Sequence, residues 1–141
     1  MKYHFLIEED GDEFLIKCVE LPECYGKFRN KKSLNSKLIQ LLSGYLFENA
    51  EQLVGEFKLE DGVNPDSVYE YEVPYYLAFP VLLKYTRLKN NMSYQEASEA
   101  CGLKSFILDY ERYEMGEIPT LSVFHQIVSK MPGFPIEIFF Q

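Results

Sequence analysis

The chain has 141 residues, 47% of them hydrophobic and 26% charged, with a formal net charge of −8. That composition can build one domain or two small ones with real cores, and it excludes a chain dominated by disorder. No apolar run is long enough to cross a bilayer, and the N-terminus lacks a basic stretch followed by an apolar block, so the expected location is the cytoplasm, with no membrane partner. Cys18, Cys24 and Cys101 form an odd, irregularly spaced set, which suits free thiols better than a disulfide framework or a zinc site. The charge is uneven. Residues 1–75 hold eight Lys/Arg against fifteen Asp/Glu, a net of −7, and residues 76–141 hold six against seven, a net of −1. The acidic front half suits a basic partner, or solvent alone, and disfavours nucleic acid. The near-neutral back half could touch DNA only through a local patch.

In chain order, Tyr3, Phe5 and Ile7 alternate with His4, Leu6 and Glu8, and Phe14, Ile16 and Cys18 alternate with Leu15, Lys17 and Val19. This period of two predicts a hairpin, with Asp10-Gly11 supplying the positive φ values of its turn. Leu21-Pro22 interrupts the ladder, because proline has no amide proton to donate, and a third short strand follows. Asn30 is the expected N-cap of a helix in which Leu34, Leu38, Leu41, Leu42, Tyr45 and Leu46 share one face. Residues 55–65 read as a connector with a turn at Glu60-Asp61-Gly62 and room for a short extended piece at Phe57-Lys58-Leu59. Residues 68–73 alternate again and Pro74 ends them. Strand, strand, strand, helix, strand predicts an α+β layer: a small, largely antiparallel sheet with one packed helix.

The second half reads as all-α. A helix is expected over residues 78–89, with Pro80 in its first turn. Ser93-Tyr94-Gln95-Glu96 has the capping-box arrangement, and Gly102 supplies a left-handed turn after Ala97, Ala100 and Cys101. A further helix spans residues 105–114, closed by Met115-Gly116. Thr120 caps another that carries Leu121, Phe124, Ile127 and Val128, and a short last helix starts at Pro135. Tyr69, Tyr71, Tyr75, Tyr76 and Phe79 form an aromatic run between the halves, suited to a core, a domain interface or a partner contact.

The hairpin, the bend Leu21-Pro22-Glu23-Cys24-Tyr25, the amphipathic helix and the late strand bounded by Val68 and Val73 resemble the HicB antitoxin family. The resemblance implies that residues 1–75 form a partial RNase H-like domain that has lost catalysis and blocks a small RNA-cleaving toxin, HicA. The tentative contacts are Glu8, Glu9, Asp10, Asp12 and Tyr25. The string Ser93-Tyr94-Gln95-Glu96-Ala97 through Gly102-Leu103, then Tyr113-Glu114-Met115-Gly116-Glu117, resembles the Cro/repressor-type helix-turn-helix. This implies that residues 76–141 form a helix-turn-helix DNA-binding domain, of a kind many HicB proteins carry at the C-terminus. In it, Ser93, Tyr94 and Gln95 open the first motif helix, Lys104, Ser105 and Phe106 open the recognition helix, and Tyr110 and Arg112 follow along it. Lys84, Arg87 and Lys89 could add electrostatic contacts to DNA, while Asp109 and Glu111 oppose them. The segment 102–114 is longer than in that family, which leaves the register of the recognition helix open.

Catalysis is not expected. The acidic residues at the hairpin tip read as solvated turn charges rather than a metal-binding constellation, and His4 and His125 lack an acid or nucleophile at a recognisable spacing. No metal or cofactor is implied. The preferred reading is an antitoxin of a type II toxin-antitoxin system that neutralises a HicA-like basic ribonuclease toxin, binds operator DNA as a dimer or higher oligomer, and represses its own operon. The alternative is a stand-alone helix-turn-helix repressor whose N-terminal domain oligomerises or senses a ligand.

Overall fold

A computed structural model describes residues 1–29, 33–103 and 107–141, with the backbone alone for residues 107–109. The chain is α+β and divides into two compact units, Lys2–Val73 and Met1 with Pro74–Gln141.

In the sheet unit, β1 (Lys2–Asp10), β2 (Glu13–Cys18), β3 (Tyr25–Arg29) and β4 (Val68–Glu72) form one sheet in the order β3-β2-β1-β4, each neighbouring pair antiparallel. Asp10 pairs with Glu13, so the two-residue turn is Gly11-Asp12, one position later than expected. Only Gly11 takes a positive φ, +63°, as in turns whose first central residue alone is left-handed. Phe5 opposite Cys18, and Ile7 opposite Ile16, put one apolar set on a single face. There α1 (Leu34–Glu48) lays down Leu38, Leu42 and Leu46, all fully buried. Complete burial of each contributes about 1.5–3 kcal/mol. Lys37 joins this face with its ammonium 4.1 Å from the Phe14 ring centroid. The cap of α1 is Ser33, whose hydroxyl accepts from the Ser36 amide at 3.3 Å; the expected cap, Asn30, lies outside the described residues.

A short 3₁₀ turn, Ala50–Gln52, leads into a connector with no strand at Phe57-Lys58-Leu59. Instead the Tyr3 hydroxyl donates to the Leu53 carbonyl at 2.7 Å, and Phe57 tilts against His4 with ring centroids 4.6 Å apart. Gly55 passes so close to Glu20 that a Cβ there would lie 1.7 Å from the Glu20 carbonyl oxygen. Gly55→Ala must push two backbones apart, so it is expected to cost about 1–3 kcal/mol or more. Gly44→Ala is the control, because its added carbon meets nothing within 4 Å inside α1; it should stabilise by about 0.5–1 kcal/mol. Urea midpoints of the two variants check this, and an unchanged midpoint for Gly55→Ala would refute the clash.

The helical unit contains α2 (Tyr75–Lys89), α3 (Tyr94–Ala100), α4 (Ile107–Glu114), α5 (Leu121–Lys130) and α6 (Ile136–Phe139). The first begins at Tyr75, earlier than the expected residue 78, so Pro80 lies in its second turn rather than its first. Pro80 is buried there among Leu77, Phe79, Val81, Leu82 and Leu83, packing that offsets the lost hydrogen bond. Leu121, expected on the apolar face of α5, points outward, while Ile127 is buried. No helix among the described residues is long and apolar enough to cross a membrane.

Candidate functional site

The α3–α4 pair is held at both ends by local sequence. Ser93 accepts from the Glu96 amide at 3.1 Å, and the Glu96 carboxylate accepts from the Ser93 amide at 3.2 Å, which completes the capping box. At the other end the Gly102 amide donates to Glu99 and the Leu103 amide to Ser98, the two bonds of a Schellman turn. Gly102 makes this possible with φ +67°. The Gln126 amide, from α5, donates to the Cys101 and Gly102 carbonyls at 2.9 Å each, so a distant helix fastens the turn that follows α3. The same turn closes α4, where the Gly116 amide reaches Tyr113 and the Glu117 amide reaches Arg112.

Between α2 and α4 lies a buried ion pair. The Arg87 guanidinium grips Glu114 with two bonds, Nη2 to Oε1 at 2.7 Å and Nε to Oε2 at 2.9 Å. It also donates to the Met92 carbonyl at 3.3 Å and stacks 4.3 Å from the Tyr94 ring centroid. The Glu114 carboxylate beside it holds the Arg87 pKa above its ordinary value. Arg87, expected as a cation for DNA, is therefore a structural clamp; a bidentate pair of this kind leaves few donors free.

The expected DNA-contacting residues separate into four sets. Ser93 and Gln95 are exposed and Tyr94 is half-buried, with Gln95 donating to Glu99 at 3.3 Å and Tyr94 lying under Arg87. Arg112 is exposed on α4 and paired with Glu117. Tyr110 is corrected: it is fully buried and its hydroxyl donates to the Leu83 carbonyl at 3.2 Å, so it belongs to the core between α2 and α4 and offers nothing to DNA. Lys104, Ser105 and Phe106 lie outside the described residues.

In the sheet unit, Glu8, Glu9, Asp10 and Asp12 are all exposed around the β1–β2 turn. Glu8, Glu9, Asp10 and Glu13 line a shallow concavity of about 280 Å³ with Leu15 and Lys27. Tyr25 is exposed at the start of the edge strand β3, opposite Lys17 on β2. The carboxylates form an acidic rim at the turn, a surface suited to a cationic partner, whereas Tyr25, opposite Lys17, lies at the other end of β3 from that turn.

One polar cluster escaped the sequence reading. His4 has acid partners: its Nδ1 is hydrogen-bonded to the Glu20 carboxylate, its amide donates to Glu20 Oε2 at 3.0 Å, and its Nε2 lies 3.5 Å from Glu70. Glu70 also accepts from Lys2 at 2.9 Å, and that hydrogen bond holds its pKa below the ordinary value. Cys18 Sγ lies 3.7 Å from Glu20, and burial pushes its pKa far up, which keeps it in the protonated thiol form. Among the described residues no group of three or more His, Cys, Asp or Glu could hold a metal ion.

Neither a protein-family model nor a curated protein matches this chain.

Proposed function

We propose that this protein is the antitoxin of a type II toxin-antitoxin pair, whose sheet unit masks a HicA-like basic ribonuclease and whose helical unit binds operator DNA and represses the operon. The observation that carries the reading is one chain holding two units: an acidic β3-β2-β1-β4 sheet with one covering helix, and a capping-box helix that ends in a glycine Schellman turn ahead of α4. On this reading the sheet unit is a partial RNase H-like domain and α3–α4 is a Cro/repressor-type helix-turn-helix, both by likeness of pattern. The role is binding, not catalysis, and its place is the cytoplasm. The exposed Glu8, Glu9, Asp10, Asp12 and Tyr25 meet the toxin. Gln95 and Arg112, with Ser93, Tyr94, Lys104, Ser105 and Phe106, form the DNA-facing set. With Arg87 committed to Glu114, phosphate contacts per copy are few, which favours a dimer reading two half-sites about one helical turn apart.

The test pairs the full chain with the toxin encoded by the adjoining reading frame. Suppressed RNA cleavage and a gel shift of the upstream DNA are expected. Charge reversal at Asp10 and Asp12 should slow toxin association roughly tenfold or more at low salt and much less at high salt, since rim charges act mainly on the on-rate. A DNA shift without toxin binding would leave a stand-alone repressor whose sheet unit oligomerises or senses a ligand. Toxin binding without a shift would remove the repressor role.

A further inference from the structure

The helical unit carries an apolar groove of about 400 Å³ that neither proposed role uses. Its floor is Phe79 and Phe124, ring centroids 5.1 Å apart. Around it stand Tyr75, Ile118, Leu121 and Phe140, exposed by 61%, 57%, 82% and 71%. On a scale of roughly 150–250 Å² for a large side chain, these four alone show water on the order of 500 Å² of surface. That is near the top of the range of about 300–600 Å² for the largest apolar patch on a monomer. It is also most of the roughly 800 Å² that one partner contributes to a standard interface.

Charge narrows the occupant. Among the described residues Glu117 is the one charged side chain lining the groove, and Arg112 of the same copy already pairs with it, so the patch offers a charged partner little. Two copies at −8 each repel through most of their surface, and contact is least opposed where both are neutral. The patch is also self-complementary in kind. It sets protruding apolar side chains, Leu121 and Phe140, beside a concave apolar floor, the pairing of knob and hole that a two-fold contact requires of one surface.

We propose that this groove is the self-association face of the helical unit, with Leu121 and Phe140 of each copy seated in the groove of the other about a two-fold axis. It names the surface that the dimer of the proposed repressor would use, yet its test needs no DNA. Sedimentation of the full chain across the micromolar range is expected to show a reversible dimer. Leu121→Asp and Phe140→Asp should each weaken that dimer by about 100-fold, since each change acts twice across the axis. Both side chains are exposed in the single copy, so the far-UV spectra and urea midpoints of the diluted, monomeric proteins should match. A wild-type chain that stays monomeric at every concentration, including one whose groove takes up an apolar dye, overturns the proposal. So does a dimer that both variants leave intact. A gel shift run in parallel separates the two readings: variants that dissociate while wild type ignores DNA sink the repressor alone, whereas undiminished dimers that still shift DNA sink the groove alone.

Discussion

Arg87→Ala is expected to cost about 3–5 kcal/mol, because removing one partner of a buried, hydrogen-bonded ion pair strands the other. Glu114 is almost wholly buried against the Arg87 guanidinium, with the Tyr110 phenol also beside it, whereas Arg87 keeps the Met92 carbonyl and the Tyr94 ring if Glu114 is changed. Glu114→Gln should therefore be the milder of the two. Replacing both residues with methionine should recover much of the loss, since packed apolar side chains often match a buried pair in stability. Urea unfolding of the four proteins, followed by far-UV dichroism, reads all of this. If Arg87→Ala stays within about 0.5 kcal/mol of wild type, the pair behaves as a screened surface bridge and the clamp between α2 and α4 is illusory.

Stability is also expected to fall steeply on the alkaline side. Burial pushes the Cys101 thiol from 9.0 up to about 11 and the Cys24 thiol up to about 12, and pushes Cys18 further still. Burial likewise raises the phenols of Tyr3 and Tyr110 from 10.0. Each of these groups has its folded pKa above its unfolded one. Its contribution is complete below the unfolded value and is lost as pH climbs towards the folded value, because only the unfolded chain can release the proton. Each thiol should thus remove about 1.4 kcal/mol per pH unit above pH 9, with the phenols adding to the loss above pH 10. The sheet unit holds Tyr3, Cys18 and Cys24 against Cys101 and Tyr110 in the helical unit, so the sheet unit should weaken more. Urea midpoints at pH 8 and pH 10.5 check the slope, and Cys24→Ala should flatten it by one proton's worth. A midpoint that does not move between those pH values would show that the thiols ionise in place.

What the sequence determined by itself was local. The alternation of Tyr3, Phe5 and Ile7, the Leu38-Leu42-Leu46 stripe, the Ser93–Glu96 box and the glycines at 102 and 116 each depend on residues within one or two turns of each other. Spacing alone therefore encodes them, and with them the α+β character of the chain. The partners that cross the chain were decided only by the tertiary structure. Arg87 and Tyr110 both read as DNA contacts, since a cation and a phenol on helices beside a turn look the same whether they face water or each other. Glu114, twenty-seven residues beyond Arg87, and the Leu83 carbonyl made them core. His4 found Glu20 across the β1–β2 hairpin, Gly55 found the Glu20 backbone, and β4 found β1 through Lys2 opposite Glu72, none of them marked by any spacing. Leu121 fits the helical stripe yet lies outside, because periodicity says which residues share a face but not whether anything covers it. Covering depends on volume and on the path of distant segments, and those exist only once the chain has closed on itself.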